Sequence, residues 1–85
     1  LVDVRDPVEQ QVSTLPGAVL IPLPELMQRL DEVDRDRPVV LFCRTGVRSV
    51  RALRLLAAQG YSQVYSLKGG INAWADQVDP TLRKY

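Results

Sequence analysis

Val39-Val40-Leu41-Phe42-Cys43-Arg44-Thr45-Gly46-Val47-Arg48-Ser49 changes character sharply at Cys43. Its first four residues are an unbroken β-branched, aliphatic and aromatic run, the pattern of a strand covered on both faces of a parallel sheet. Cys43 to Arg48 is polar and holds a glycine, which predicts a loop. Ser49 to Gln59 predicts a helix, closed by Gly60 as its C′ residue. Val50, Ala52, Leu53, Leu55, Leu56 and Ala57 leave only a narrow polar stripe at Arg51 and Arg54, so this helix is expected to be mostly buried. Strand, tight loop and helix in this order form the repeating unit of α/β proteins.

The flanking sequence continues the alternation. Leu1-Val2-Asp3-Val4 predicts a strand. Arg5 to Pro16 is polar and carries Pro7 and Pro16, which predicts a loop with at most a helical turn at Glu9 to Val12. Gly17 to Ile21 reads as a turn entering a very short apolar strand. A helix is expected from Pro24 to Val33, because proline suits a first helical position and Leu23, Leu26, Met27 and Leu30 share one face. Asp31 to Arg37 forms a charged loop ended by Pro38. Gln63 to Leu67 predicts another strand, Gly69-Gly70 a turn, Ile71 to Gln77 a helix, and Val78 to Tyr85 a polar tail. The expected fold class is α/β, a parallel sheet flanked by helices, in one domain over residues 1–85.

Composition narrows the chemistry. Hydrophobic residues make up 46% and charged residues 25% of the 85, the proportions of an ordinary globular domain. No apolar stretch approaches the roughly 20 residues that span a bilayer, so no membrane partner is expected. Eleven basic and ten acidic residues balance to +1, which predicts no nucleic-acid partner. The charge is unevenly placed. Four of the six residues from Asp31 to Asp36 are acidic, whereas Arg37 to Arg54 holds five arginines and no acid. The single cysteine lies in that basic stretch. One cysteine forms no internal disulfide, and without histidine it assembles neither a zinc site nor a Cys-His pair. Neither metal nor cofactor is expected, and a cytoplasmic setting fits a lone cysteine.

Cys43 stands where ligands gather in open α/β sheets, beyond the carboxyl end of a strand. A following helix start supplies unpaired N–H groups and a partial positive charge, Gly46 permits the tight turn, and Arg44 and Arg48 add full charges. Each favours thiolate over thiol, so Cys43 is expected to be reactive near neutral pH. A lone cysteine after an apolar strand is commonly just a small buried hydrophobe. Glycine, two arginines and Ser49 around it are harder to explain by packing. The reading requires a sulfur held by amides rather than one turned inward among aliphatic neighbours, away from water.

These residues resemble the rhodanese family of sulfurtransferases. Cys43-Arg44-Thr45-Gly46-Val47-Arg48-Ser49 is similar to its active-site loop and Asp3-Val4-Arg5 to its D-x-R segment. Gly17-Ala18 to Ile21-Pro22, Gly60-Tyr61, and Lys68-Gly69-Gly70 with Trp74 resemble its other marks. The resemblance implies a rhodanese-like sheet, here without the family's usual first strand and helix. It implies that Cys43 carries sulfur as a persulfide, that amides from Arg44 to Arg48 cradle the outer sulfur, and that Arg44 and Arg48 bind an anionic donor. Thr45, Gly46, Val47 and Ser49 complete that binding loop. Asp3 and Arg5 are supporting residues, Asp3 within the site or, less usefully, as a surface acid. Trp74 is expected to pack beside the site.

Loop length separates this reading from a cysteine phosphatase, whose Cys-x5-Arg loop is one residue longer than Cys43 to Arg48. A non-catalytic docking module is the other alternative. The stretch from Lys68 to Ala75, with Val78-Asp79-Pro80, Tyr85 and Leu15-Pro16-Gly17-Ala18, is similar to rhodanese domains that accompany E1-like adenylyltransferases of the molybdopterin and thiamine type. That branch implies a small anionic sulfur donor (thiosulfate or a protein persulfide), a ubiquitin-like sulfur-carrier protein as acceptor, and an adenylyltransferase domain as partner. Arg51, Arg54 and Lys68 either attract an acidic carrier tail or are solvated charges.

Overall fold

Val2–Asp3 (β1), Val19–Leu20 (β2), Val39–Phe42 (β3) and Val64–Ser66 (β4) pair in parallel in the order β2-β1-β3-β4. The computed structural model describes residues 1–77; the expected polar tail and its resemblances lie outside the described residues. Helices Pro7–Val12 (α1), Val47–Ala58 (α2) and Gly70–Gln77 (α3) fill connections between or after the strands. Asp3 stands opposite Phe42 and Leu41 opposite Ser66, so β1, β3 and β4 all end at one edge of the sheet. The chemistry expected of Cys43 is thereby placed beside Asp3 and Ser66.

The pleat of β3 divides the core. Val39, Leu41 and Cys43 point into one cluster with Val2, Val4, Ile21, Leu26, Ala52, Leu56 and Tyr61. Phe42 points the other way, to Leu15 and Ile71, with Ala18, Leu67 and Trp74 packed against them. Both faces of β3 are covered, as its unbroken apolar run predicts. Trp74 does fill core volume, but on the face of the sheet away from the Cys43 cluster.

Three local expectations need correction. Pro7 begins a true helix of six residues, α1, where a loop with at most a helical turn at Glu9 to Val12 was expected; Asp6 N–H donates to the Glu9 carboxylate at 2.9 Å, satisfying a donor at its start. The expected helix from Pro24 to Val33 is instead two 3₁₀ segments, Leu23–Gln28 and Leu30–Glu32. Its bonds run three residues back, as from Arg29 N–H to the Leu26 carbonyl and from Val33 N–H to that of Leu30. At three residues per turn Leu23 and Leu26 align, while Met27 swings outward to 42% exposure. Finally, α2 starts at Val47, two residues early, and is not mostly buried. Only Ser49, Ala52 and Leu56 are buried along it, whereas Val47, Val50 and Leu55 are exposed. Gly60 behaves as expected: its N–H bonds the Ala57 carbonyl and Tyr61 N–H that of Leu56, closing a Schellman motif.

Candidate active site

Cys43 leaves β3 just where its backbone loses the ladder, and the neighbouring elements take over its bonding. Ile71 N–H donates to the Cys43 carbonyl at 2.8 Å and Asn72 N–H to that of Arg44 at 3.1 Å. The first turn of α3 thus fastens the loop from below. Gly70 makes this approach possible. It sits at φ +63°, and a Cβ there would collide with the carbonyls of Cys43 and Arg44. Above, the chain turns at Gly46 with φ +109°, a conformation that disfavours any side chain, and enters α2.

That turn brings amides onto the sulfur. Gly46 N–H donates to Cys43 Sγ at 3.1 Å and Ser49 N–H at 3.4 Å, and the thiol lies 3.7 Å from Ser49 Oγ. Ser49 Oγ also bonds the Gly46 carbonyl at 3.1 Å and shares a 2.6 Å hydrogen bond with Ser66 Oγ on β4. Burial pushes the Cys43 thiol up and is the largest single influence. The Ser49 N–H and hydroxyl, with the N–H groups of Gly46 and Thr45, outweigh it and hold the thiol below its ordinary value. The donors are therefore a subset of the expected loop, namely Thr45, Gly46 and Ser49.

The sulfur is less open than expected. Cys43 is 1% exposed and its side chain joins the aliphatic cluster. Both features set against the reading, aliphatic neighbours and loss of contact with water, are therefore present. The amide cradle is present beside them, since the sulfur itself faces N–H donors. A merely hydrophobic cysteine would not gather them.

Asp3 is fully buried, which removes the surface-acid alternative. Its carboxylate accepts from Arg5 N–H at 3.0 Å, from Nε at 2.9 Å and from Nη2 at 2.8 Å. Arg5, equally buried, donates onward to the carbonyls of Ser13 at 2.6 Å and Glu9 at 3.4 Å, and its guanidinium lies 5.5 Å from the Phe42 ring centre. The pair clamps α1 to the sheet beside β3. Glu9, on that helix, then forms a two-bond ion pair with Arg48 at 2.7 and 2.9 Å. Arg48 lowers the Glu9 pKa through these bonds despite partial burial. So Arg48, expected to meet a donor anion, is already held by a carboxylate. Arg44 and Thr45 are exposed at the rim, with Val47.

A family model for the rhodanese-like domain matches residues 1–77. The chain belongs to that family. Among curated relatives of this rhodanese-like domain, the probable adenylyltransferase/sulfurtransferase MoeZ of Mycobacterium tuberculosis is 45% identical over the whole chain, which spans 22% of that protein's length. A sulfurtransferase of Allochromatium vinosum is 44% identical over 88% of the chain and 70% of its own length. Solved rhodanese-like structures agree with the fold. The rhodanese-like domain protein of Staphylococcus aureus superposes with a TM-score of 0.84 at 30% identity, covering 99% of this chain and 78% of its own. Reduced CoADR-RHD of Bacillus anthracis gives 0.87 at 36% identity over 99% of this chain and 15% of its own.

Within this rhodanese-like domain, sequence reasoning missed Glu9, Ser66 and the reason for Gly70. Glu9 stands three residues after Asp6, a capping pattern that marks a helix start. Nothing in the pattern says that its free face meets Arg48, 39 positions later in the sequence. Ser66 is a polar residue at the carboxyl end of a strand, which is where a site is sought in such sheets.

Proposed function

We propose that this domain transfers sulfur by way of a persulfide on Cys43. The observation that carries the reading is the pair of N–H groups, from Gly46 and Ser49, aimed at Cys43 Sγ. The thiolate attacks the outer sulfur of a donor such as thiosulfate; the new S–S bond forms as the old one breaks, and sulfite leaves with the electron pair. No proton need be removed by a base, which suits a chain without histidine. A nucleophilic acceptor then takes the outer sulfur and restores the thiolate. The preference for a small sulfur anion follows from the tight loop, whose amides converge on one atom. Arg44 at the rim attracts the anion, and Arg48 stiffens the loop through Glu9.

The similarity to MoeZ supports a finer reading, in which the acceptor is the activated C-terminus of a ubiquitin-like sulfur carrier presented by an adenylyltransferase domain. The outer persulfide sulfur attacks the acyl adenylate and AMP leaves, giving an acyl disulfide with Cys43. An external thiolate then attacks Cys43 Sγ of the acyl disulfide, so that the thiocarboxylate leaves and a mixed disulfide remains on Cys43, and a second external thiol reduces that disulfide to restore the thiolate; this chain carries one cysteine and supplies neither thiol.

Intact mass measurement after thiosulfate treatment tests the core of this. The expected result is a gain of one sulfur atom on Cys43, reversed by cyanide and absent in Cys43→Ala. A native protein that retains no sulfur, whose folded thiol resists small alkylating reagents, or that hydrolyses an aryl phosphate without releasing sulfite from thiosulfate, would overturn it.

A further inference from the structure

A groove of about 540 Å³ runs from the Thr45–Gly46 turn along α2, walled on the other side by Leu67, Lys68 and Gly69 after β4. Among the described residues its lining includes Arg51, Arg54 and Lys68 and no carboxylate. Among the described residues these cations take part in no ion pair, in contrast to Arg29, Arg37 and Arg48. Between the cations and the sulfur lies apolar surface left in solvent: Val47 is 65% and Val50 40% exposed. Water-facing valines cost an isolated helix nothing in function, but beside a cationic rail they form a mixed surface of the kind that partners cover.

The length of the groove decides what fits it. Val47 and Arg54 are two turns apart on α2, about 10 Å along its axis. One small oxyanion at the loop cannot reach Arg54, and it has no use for Val47 or Val50. An extended chain advances about 3.3 Å per residue and turns alternate side chains to opposite sides. Three or four residues cover the distance, with acidic side chains toward Arg51 and Arg54 on the α2 wall, the alternate apolar ones toward Leu67 on the other, and the backbone over Val47 and Val50.

We infer that this groove docks an extended segment of a protein partner in which acidic and apolar residues alternate, leading its end to Cys43. The inference deepens the sulfur-transfer reading and rests on it only for what the docked end receives. Sequence alone left Arg51, Arg54 and Lys68 as solvated charges or carrier contacts; the valines between them and the loop favour the latter.

Fluorescence anisotropy tests it with a fluorescein-labelled octapeptide of alternating aspartate and leucine. The comparators are the lysine–leucine peptide and an oligothymidylate of equal length. The acidic peptide is expected to bind, more weakly as salt rises, and the lysine peptide not to bind. Arg51→Glu with Arg54→Glu should weaken it by about ten-fold or more, and Val50→Asp should weaken it as well. Circular dichroism confirms that each variant is folded, and Arg54→Gln gives a milder version of the same loss. Sulfur loading of Cys43 by thiosulfate should persist in all of them. Failure of the acidic peptide to bind, equal binding of the lysine peptide, tighter binding of the oligonucleotide, or indifference to charge reversal overturns docking. Peptide binding with no sulfur loading of the native protein overturns the transfer reading and leaves docking standing.

Discussion

Cys43 is governed by two opposed influences, burial that favours the thiol and N–H donors that favour the thiolate, and the donors prevail. Because its folded pKa lies below the unfolded value, the sulfur adds stability that is full above the unfolded value and is lost as pH falls through the folded one. Ser49 is the residue on which this balance turns, through both its N–H and its hydroxyl. Ser49→Ala keeps the N–H but strands Ser66 Oγ and removes a neighbour of the sulfur. We expect a loss of about 1 kcal/mol in urea unfolding. We also expect the midpoint of Cys43 alkylation against pH to move up; an unmoved midpoint would show that the backbone amides act alone. The sequence made the residue types of this cradle legible, since cysteine, glycine and serine lie within seven positions. It did not show that the sulfur would be 1% exposed, because burial depends on what packs against Leu41 and Leu56 from elsewhere in the chain.

Elements hold the cradle from two sides. From below, α3 approaches so closely that Gly70 has no room for a Cβ. Gly17 also has a positive φ, +78°, but nothing lies within 4 Å of its missing Cβ. Gly17→Ala should therefore cost only the conformational term, about 1–2 kcal/mol. Gly70→Ala should cost a further ~1–3 kcal/mol for overlap and should also lower sulfur loading; equal thermal unfolding midpoints for the two variants would contradict the close approach. From the side, α1 reaches α2 through Glu9 and Arg48, a pair with side chains 18% and 31% exposed. Glu9→Gln should cost about 1 kcal/mol near neutral pH. The Glu9 pKa is lowered, so this contribution is present above the usual glutamate range and disappears as pH falls through and below it. The urea midpoints of native and variant protein should therefore converge in acid. The 3₁₀ segments show why helix type was illegible: Leu23, Leu26 and Leu30 follow the roughly 3.6-residue period of an α-helix, and the three-residue bonding that the segment adopts instead leaves no mark in that spacing.

At the scale of the molecule, the buried Asp3–Arg5 pair joins the sheet, α1 and the segment before β2. Asp3→Ala leaves a guanidinium buried without its counter-charge, and we expect a loss of about 3–5 kcal/mol, read by urea denaturation. Replacing both residues, as Asp3→Ala with Arg5→Met, should recover part of it; a double variant no better than the single would place the role of Asp3 outside the pair. By itself, the sequence determined the α/β class, the strand–loop–helix around Cys43, the family and the place of Cys43 at the end of β3, because periodicity, glycine placement and motif spacing are local properties. The tertiary structure alone decided that Cys43 is buried, that Arg48 is spoken for by Glu9, and that three cations, in no ion pair among the described residues, share with exposed valines a groove between α2 and the chain after β4. Those are contacts between segments distant in the chain, and they follow from sheet order and helix approach, which spacing along a single chain does not encode.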